Sequence, residues 1–220
     1  MDQGKFQSSR NKPGKGQSLV EGALLFPVLL ILISGMVEFG FLLNQYLAIV
    51  DAARNAARFA SDSLYYVRDG NTNCDPDAGS ISGDFYMQTA CLVLQELEQE
   101  RPTIEIDLAR DDDIIVSAFT VIGGSTTTVS ARHPVADGWS YAQAISGSRN
   151  QVTSLHNTEV VARLQAGAPS TGLVMVEIYY HYDQLLGLPW ITAFLPNPLL
   201  VHAFTFMPLV SAEPTPTAAP

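Results

Sequence analysis

Residues 16–63, GQSLVEGALLFPVLLILISGMVEFGFLLNQYLAIVDAARNAARFASDS, limit the folds open to this chain more than any other stretch. They open small and polar, are apolar over 22–43 apart from one acid, Glu38, and pass without a turn signal into an Ala/Arg-rich segment. This pattern predicts one long helix, roughly 70 Å at about 1.5 Å per residue, whose apolar part alone covers about 30 Å of hydrocarbon. The other half must project beyond the bilayer. About 155 residues remain for a further domain with a modest core.

The formal net charge is −10, and its distribution decides more than its sum. Lys5, Lys12 and Lys15 are the only lysines; with Arg10, and against Asp2, they make residues 1–16 net +3, so the remainder carries −13. A region that acidic lacks the clustered cations that a phosphate backbone requires, and no nucleic-acid partner is expected. Basic residues directly before an apolar span hold the N-terminus in the cytoplasm, which puts residues beyond about 45 outside. A cleaved secretory signal is the rival reading. The apolar stretch is long for a signal, and FLLNQYLAIVDAARNAARFA keeps the helical period past its end, so an anchored chain is expected.

Within the helix, Pro27 removes one backbone hydrogen bond and crowds the carbonyl of Ala23, which predicts a kink. Glu38 lies deep in the apolar stretch beside Phe39, Phe41 and Leu42. An unpartnered carboxylate is costly there, and a contact with another membrane protein's helix is the expected use. Gly22, Ser34, Gly35 and Gly40 are small enough for a second helix to approach. Farther on, Leu42, Tyr46, Ile49, Ala53, Ala56 and Ala60 recur at helical intervals, with Asp51, Arg54, Arg58 and Asp62 as a polar stripe. That shallow apolar face packs either on the chain's own domain or on neighbouring subunits.

Residues 67–84, VRDGNTNCDPDAGSISGD, read as a surface loop. Cys74 lies in it, and Cys91 lies in the helical segment FYMQTACLVLQELEQER. Two cysteines in a region expected outside point to a disulfide between them, worth about 3 kcal/mol in the chain-entropy model. From Thr103 the period becomes two: residues 103–109, TIEIDLA, are predicted as a half-buried strand that turns through 110–113 into an antiparallel partner over 114–122. Asp111, Asp112 and Asp113 lack the glycine and terminal glutamate of a calcium loop and read as a solvated turn. Residues 126–131 add a short strand. Residues 133–151 read as an irregular loop pinned by Trp139 and Tyr141, and Thr158 caps a helix, EVVARLQA, that Gly167 stops. LVMVEIYYHY is the strongest strand, with Val174, Val176, Ile178 and Tyr180 alternating against Met175, Glu177, Tyr179 and His181. A last strand covers 199–207, before a proline-rich tail expected to be disordered.

Leu188, Trp190, Ile191 and Phe194 cluster in the segment 185–195, which is either a partner surface or a stretch folded under the sheet. The four histidines show no metal-ligand spacing, and the chain has no HExxH, P-loop, GxGxxG or GxSxG. No metal, cofactor or enzymatic activity is expected.

Gly16-Gln17-Ser18-Leu19-Val20-Glu21 has the form of a type IV prepilin processing motif: a glycine, four residues and a glutamate, set between a basic leader and an apolar helix. Together with the apolar run, Val37-Glu38-Phe39-Gly40 and Ala52-Ala53-Arg54, it closely resembles the TadE-like family of tight-adherence pilus proteins. GLVMVEIYYHY and HAFTFMPL are similar to strand segments of larger TadE-like proteins. Gly22 departs from the family pattern, which places a bulky residue after the glutamate, and this bears on how efficiently the leader is processed. The resemblance implies a prepilin peptidase that cuts between Gly16 and Gln17. It further implies a new α-amino group on Gln17 that pairs with Glu21 to set assembly register. An interfacial acid facing headgroups is the plainer reading of Glu21.

The expected fold class is α+β: a basic leader over 1–16, a long helix over 17–63 that is transmembrane at about 22–43, a small antiparallel-sheet domain over 64–210, and a tail. The expected protein is a structural minor pilin or pseudopilin of a tight-adherence pilus, single-pass in the cytoplasmic membrane with its domain outside. Its helix would contact other pilin or pilus-assembly membrane proteins in a homo- or hetero-oligomer. The alternative is a non-polymerising anchored module that binds a glycan or protein through Trp139, Tyr141 or Trp190.

Overall fold

The computed structural model describes residues 15–63, 85–100, 102–134, 137–164, 167 and 169–209. The leader before Lys15, Cys74 with its loop, and the C-terminal tail lie outside these residues. The first helix, α1, runs unbroken through Pro27 over Lys15–Asp62. The second, α2, covers Phe85–Glu100. An antiparallel sheet follows, built from β1 (Asp113–Ile122), β2 (Thr128–His133), β3 (Trp139–Ser140), β4 (Thr171–Tyr182) and β5 (Leu199–Leu209). Its main path is β2-β1-β4-β5, with the two-residue β3 paired to β1. Short helices α3 (Tyr141–Ser146), α4 (Asn157–Arg163) and α5 (Pro189–Thr192) sit in the connections. The architecture is α+β: a long N-terminal helix followed by a small antiparallel sheet with short helices.

The main core forms where α1 and α2 lie on one face of the sheet. Alanines carry it: Ala52, Ala53, Ala56, Ala57 and Ala60 are buried, with Ile49 at their head. Side chains this small let α1 come close to α2 and to the sheet, where Val116, Ala118, Val174, Val176, Ile178 and Val201 meet them. A side-chain bond from Asn55 to Glu96, 3.1 Å, ties the two helices at the rim. Tyr46, read as part of the apolar face, is turned outward, whereas Asp51, Arg54, Arg58 and Asp62 are exposed as the stripe predicted.

Several local expectations are overturned. Residues 103–107 form no strand: Ile104 is buried against the helical layer, and Asp107 caps a short 3-10 turn, accepting from the Ala109 N–H at 2.9 Å. The alternation there is real, but no neighbouring strand takes its backbone groups. The aspartate run is not a solvated turn either. Asp111 occupies the left-handed region at φ 65°, while Asp112 and Asp113 are buried. Thr158 lies inside α4, which is capped at His156 and ends at Arg163, short of Gly167. Residues 133–151 hold β3 and α3, the latter capped by Ser140, whose hydroxyl accepts from the Gln143 N–H.

In β4 the two alternating sets are both buried, apart from partly exposed His181. Val174, Val176, Ile178, Tyr180 and Tyr182 face the helices; Leu173, Met175, Glu177 and Tyr179 face a second layer built from residues 137–164. That layer approaches β1 most closely at Gly138, φ 80°, where a Cβ would stand 2.3 Å from Ser117 Oγ and 2.9 Å from Ile115 Cγ2. Only glycine fits there.

Candidate functional site

Two polar constellations organise the molecule. The first joins α1 to the sheet domain. The inward residues of α1 begin at Ser34 and Gly35 and recur at helical intervals through Glu38, Leu42, Gln45 and Ile49 to Ala60, while every described residue from Leu19 to Ile33 is exposed. Glu38, 5% exposed, stands near the head of this row. Its Oε1 accepts from the Tyr182 hydroxyl at 2.7 Å and from the Leu185 N–H at 2.8 Å, and its Oε2 accepts from the Leu186 N–H at 2.9 Å. One carboxylate thus fixes both the end of β4 and the turn after it. Burial, and the hydrogen bond to this carboxylate, push the Tyr182 hydroxyl above its ordinary pKa, which keeps it a donor.

The segment beyond that turn lies back along α1. Trp190 donates its indole N–H to Ser34 Oγ at 3.1 Å. Ile191 is buried beside a cavity of about 130 Å³ that Gly35, Glu38, Phe39, Leu42, Tyr182 and Leu195 help to line. Gln184 closes the base of the segment by donating to the Leu195 and Pro196 carbonyls, both at 3.2 Å. The expectation that Glu38 meets another membrane protein is therefore corrected: its oxygens are taken up by the chain's own domain. Of the four residues read as a partner surface, Ile191 is covered, Leu188 is half-buried, Trp190 is tied to Ser34, and Phe194 is 85% exposed.

The second constellation fastens the 137–164 layer. Asp113 accepts four bonds: from the Ile114 and Ala142 N–H groups on Oδ1, both at 2.9 Å, and from the Ser140 hydroxyl at 2.7 Å and the Gln151 N–H at 3.2 Å on Oδ2. Asp112 accepts from the His181 N–H and meets the His181 ring, both at 2.8 Å. Arg132 reaches the Leu155 carbonyl and Ser117 Oγ and lies over the Phe119 ring. Burial draws its guanidinium below the ordinary value. Glu177, fully buried, is met by Thr153 Oγ1, Tyr179 Oη and His202 Nε2. Burial, reinforced by this carboxylate, pushes Tyr179 up to about 12. Ser154 Oγ stands 3.5 Å from His202 Nδ1, and its N–H donates to Tyr179 Oη. Serine, histidine and acid are thus in line, but the serine contact is at the limit of hydrogen bonding. Among the described residues, no group of three or more His, Cys, Asp and Glu is placed to hold a metal.

The other residues singled out in the sequence fall in varied settings. Gly16 and Gln17 lie in the first turn of α1, and Glu21 lies on its exposed stretch. Cys91 is buried on α2, and its expected partner Cys74 lies outside the described residues. Trp139 stacks on Tyr86 at 6.1 Å and packs beside Tyr141. Sequence reading missed Tyr182, Asp113, Glu177 and Arg132. The acids carried a signal, since a buried strand that contains one must supply it with donors.

Among the described residues, one helix is long and apolar enough to cross a membrane; it is bare over its first half and docked on an α+β domain over its second, an arrangement compatible with a single-pass membrane anchor. Residues 16–58 match the family model described as TadE-like protein, so over that stretch the chain is similar to TadE-like proteins. The matched segment takes in the bare half of α1, Glu38 and most of the alanine row. No curated protein and no solved structure matches the chain.

Proposed function

We propose that the chain is a non-enzymatic minor pilin or pseudopilin of a tight-adherence pilus. The observation that carries this reading is the division of one TadE-like helix into a free apolar half and a half that serves as part of its own domain's core. A pilin needs this combination: the free half is exchangeable between lipid and neighbouring helices, while the docked half keeps the domain attached during the transfer. In this reading a prepilin peptidase removes residues 1–16, and the α-amino group of Gln17 pairs with Glu21 on a neighbouring subunit. The free half then packs against other pilins in a homo- or hetero-oligomer. The basic leader keeps the N-terminus in the cytoplasm and the sheet domain outside.

The anchored binding module has less support. Trp139 and Tyr141 pack against each other, with Trp139 also stacked on Tyr86, and the Trp190 N–H is taken by Ser34, so none of the three aromatics is an unengaged ligand platform.

The test is fractionation of cells into membrane and sheared-filament samples, comparing wild type with Glu21→Ala. Glu21 is exposed and distant from the domain, so the substitution should leave folding intact. Wild-type protein is expected in both fractions and the variant in the membrane alone. Wild-type protein absent from filaments in cells that carry pili would contradict the reading.

A further inference from the structure

The segment that Glu38 holds in place is unusual in composition. From Gln184 to Val201 the chain carries no Asp, Glu, Lys, Arg or His, and Leu185, Leu186, Trp190, Phe194, Leu195 and Leu200 are exposed on it. These residues are not scattered over the domain. The Trp190–Ser34 bond and the Glu38 bonds fix the segment alongside α1 at the level of residues 34–39, where Met36, Val37 and Phe39 of α1 are also exposed.

Length then decides what surrounds it. The bare stretch of α1, residues 19–33, spans about 22 Å at about 1.5 Å per residue, whereas a hydrocarbon core is about 30 Å thick. The first half of α1 alone therefore falls short of a full crossing. Continuing the helix to Glu38 supplies the missing length, but only if the segment packed beside residues 34–38 enters the same apolar layer. If Glu21 marks the inner boundary instead, the segment goes deeper.

We propose that residues 185–195, with α5 at their centre, form a second membrane contact: a re-entrant apolar hook that sits in the outer leaflet beside α1, with lipid acyl chains as its partner. Three features suit that occupant. The exposed side chains carry no charge and are apolar or aromatic except Thr192, whose hydroxyl donates to the Pro189 carbonyl. The tryptophan has its N–H bonded inside the protein, so its ring enters lipid without an orphaned donor. The backbone N–H groups of Leu185 and Leu186, which would be costly in hydrocarbon, are both taken by Glu38. Glu38 is thereby explained as well: an acid at membrane depth whose acceptors are filled by the hook it positions.

The inference rests on α1 spanning the membrane but not on the pilin role. The test uses the full chain in phosphatidylcholine vesicles with bromine on the upper acyl chain, comparing wild type, Trp190→Phe and Trp139→Phe. Flotation with the vesicles reports α1 insertion, and bromine quenching reports lipid at the hook. Wild type is expected to float and to show a quenched component that is absent in Trp190→Phe and is nearly all of the emission in Trp139→Phe. Either variant alone identifies the component should the other fail to fold. Flotation with Trp190 unquenched would overturn the hook and leave the anchor standing. Quenching that appears only on dilution into excess lipid would mean that a second copy covers the segment, and would overturn it too. Failure to float would overturn hook and anchor together.

Discussion

Replacing Glu38 with alanine is expected to release the end of β4 and the segment after it from α1, at a cost of roughly 3 kcal/mol or more. The figure follows from what is left behind: the Tyr182 hydroxyl and the N–H groups of Leu185 and Leu186 lose their acceptor, and each orphaned buried donor costs about 1–3 kcal/mol. Glu38→Gln keeps one acceptor oxygen and turns the other position into a donor facing a donor, so a smaller loss is expected. Denaturant unfolding of the full chain in detergent gives the two costs and their order. Limited proteolysis supplies the local readout, because cleavage within 183–198 should rise before cleavage elsewhere. An alanine variant as stable as wild type would show that Glu38 does not hold the segment after β4.

Asp113→Ala should be at least as damaging, by a different route. Its carboxylate takes four donors from β1, β3, α3 and the loop residue Gln151, and none of these lies on α1. Removal leaves three N–H groups and a hydroxyl unpaired beneath the second layer, a loss of about 3–5 kcal/mol, comparable with the whole stability of many small domains. The expected result is loss of cooperative thermal unfolding of the sheet domain with the helical signal of α1 retained in detergent. The contrast between the variants separates the two constellations: Glu38→Ala should free the 183–198 segment from α1 while the alanine core stays packed, and Asp113→Ala should loosen the sheet domain itself.

What the sequence made legible follows the range of the interactions. The extent of α1, the strand character of β1, β4 and β5 and the buried row of alanines are local patterns of period 3.6 or 2, and each is readable directly. The partners of Glu38 are not, because Tyr182, Leu185 and Leu186 lie 144, 147 and 148 residues away. Without them, an acid in an apolar helix points outward to another protein. Asp112 and Asp113 mislead for the opposite reason. A run of acids suggests water, yet here backbone N–H groups and a histidine replace it. Residues 103–109 alternate as a strand would, but Ile104 is buried by helices, and burial alone supplies no ladder. In β4 the period of two is correct, but it does not tell which face is covered. A second layer, itself irregular and therefore faint in sequence, buries the second set as well as the first, apart from partly exposed His181.

That the free half of this helix belongs to a processed pilin subunit is tested most directly by the mass of the N-terminal peptide, taken from protein isolated from membranes and from sheared filaments. The expected mature chain starts at Gln17, with Glu21 as its fifth residue and the basic leader gone. A chain in both fractions that still carries residues 2–16 would contradict that assignment.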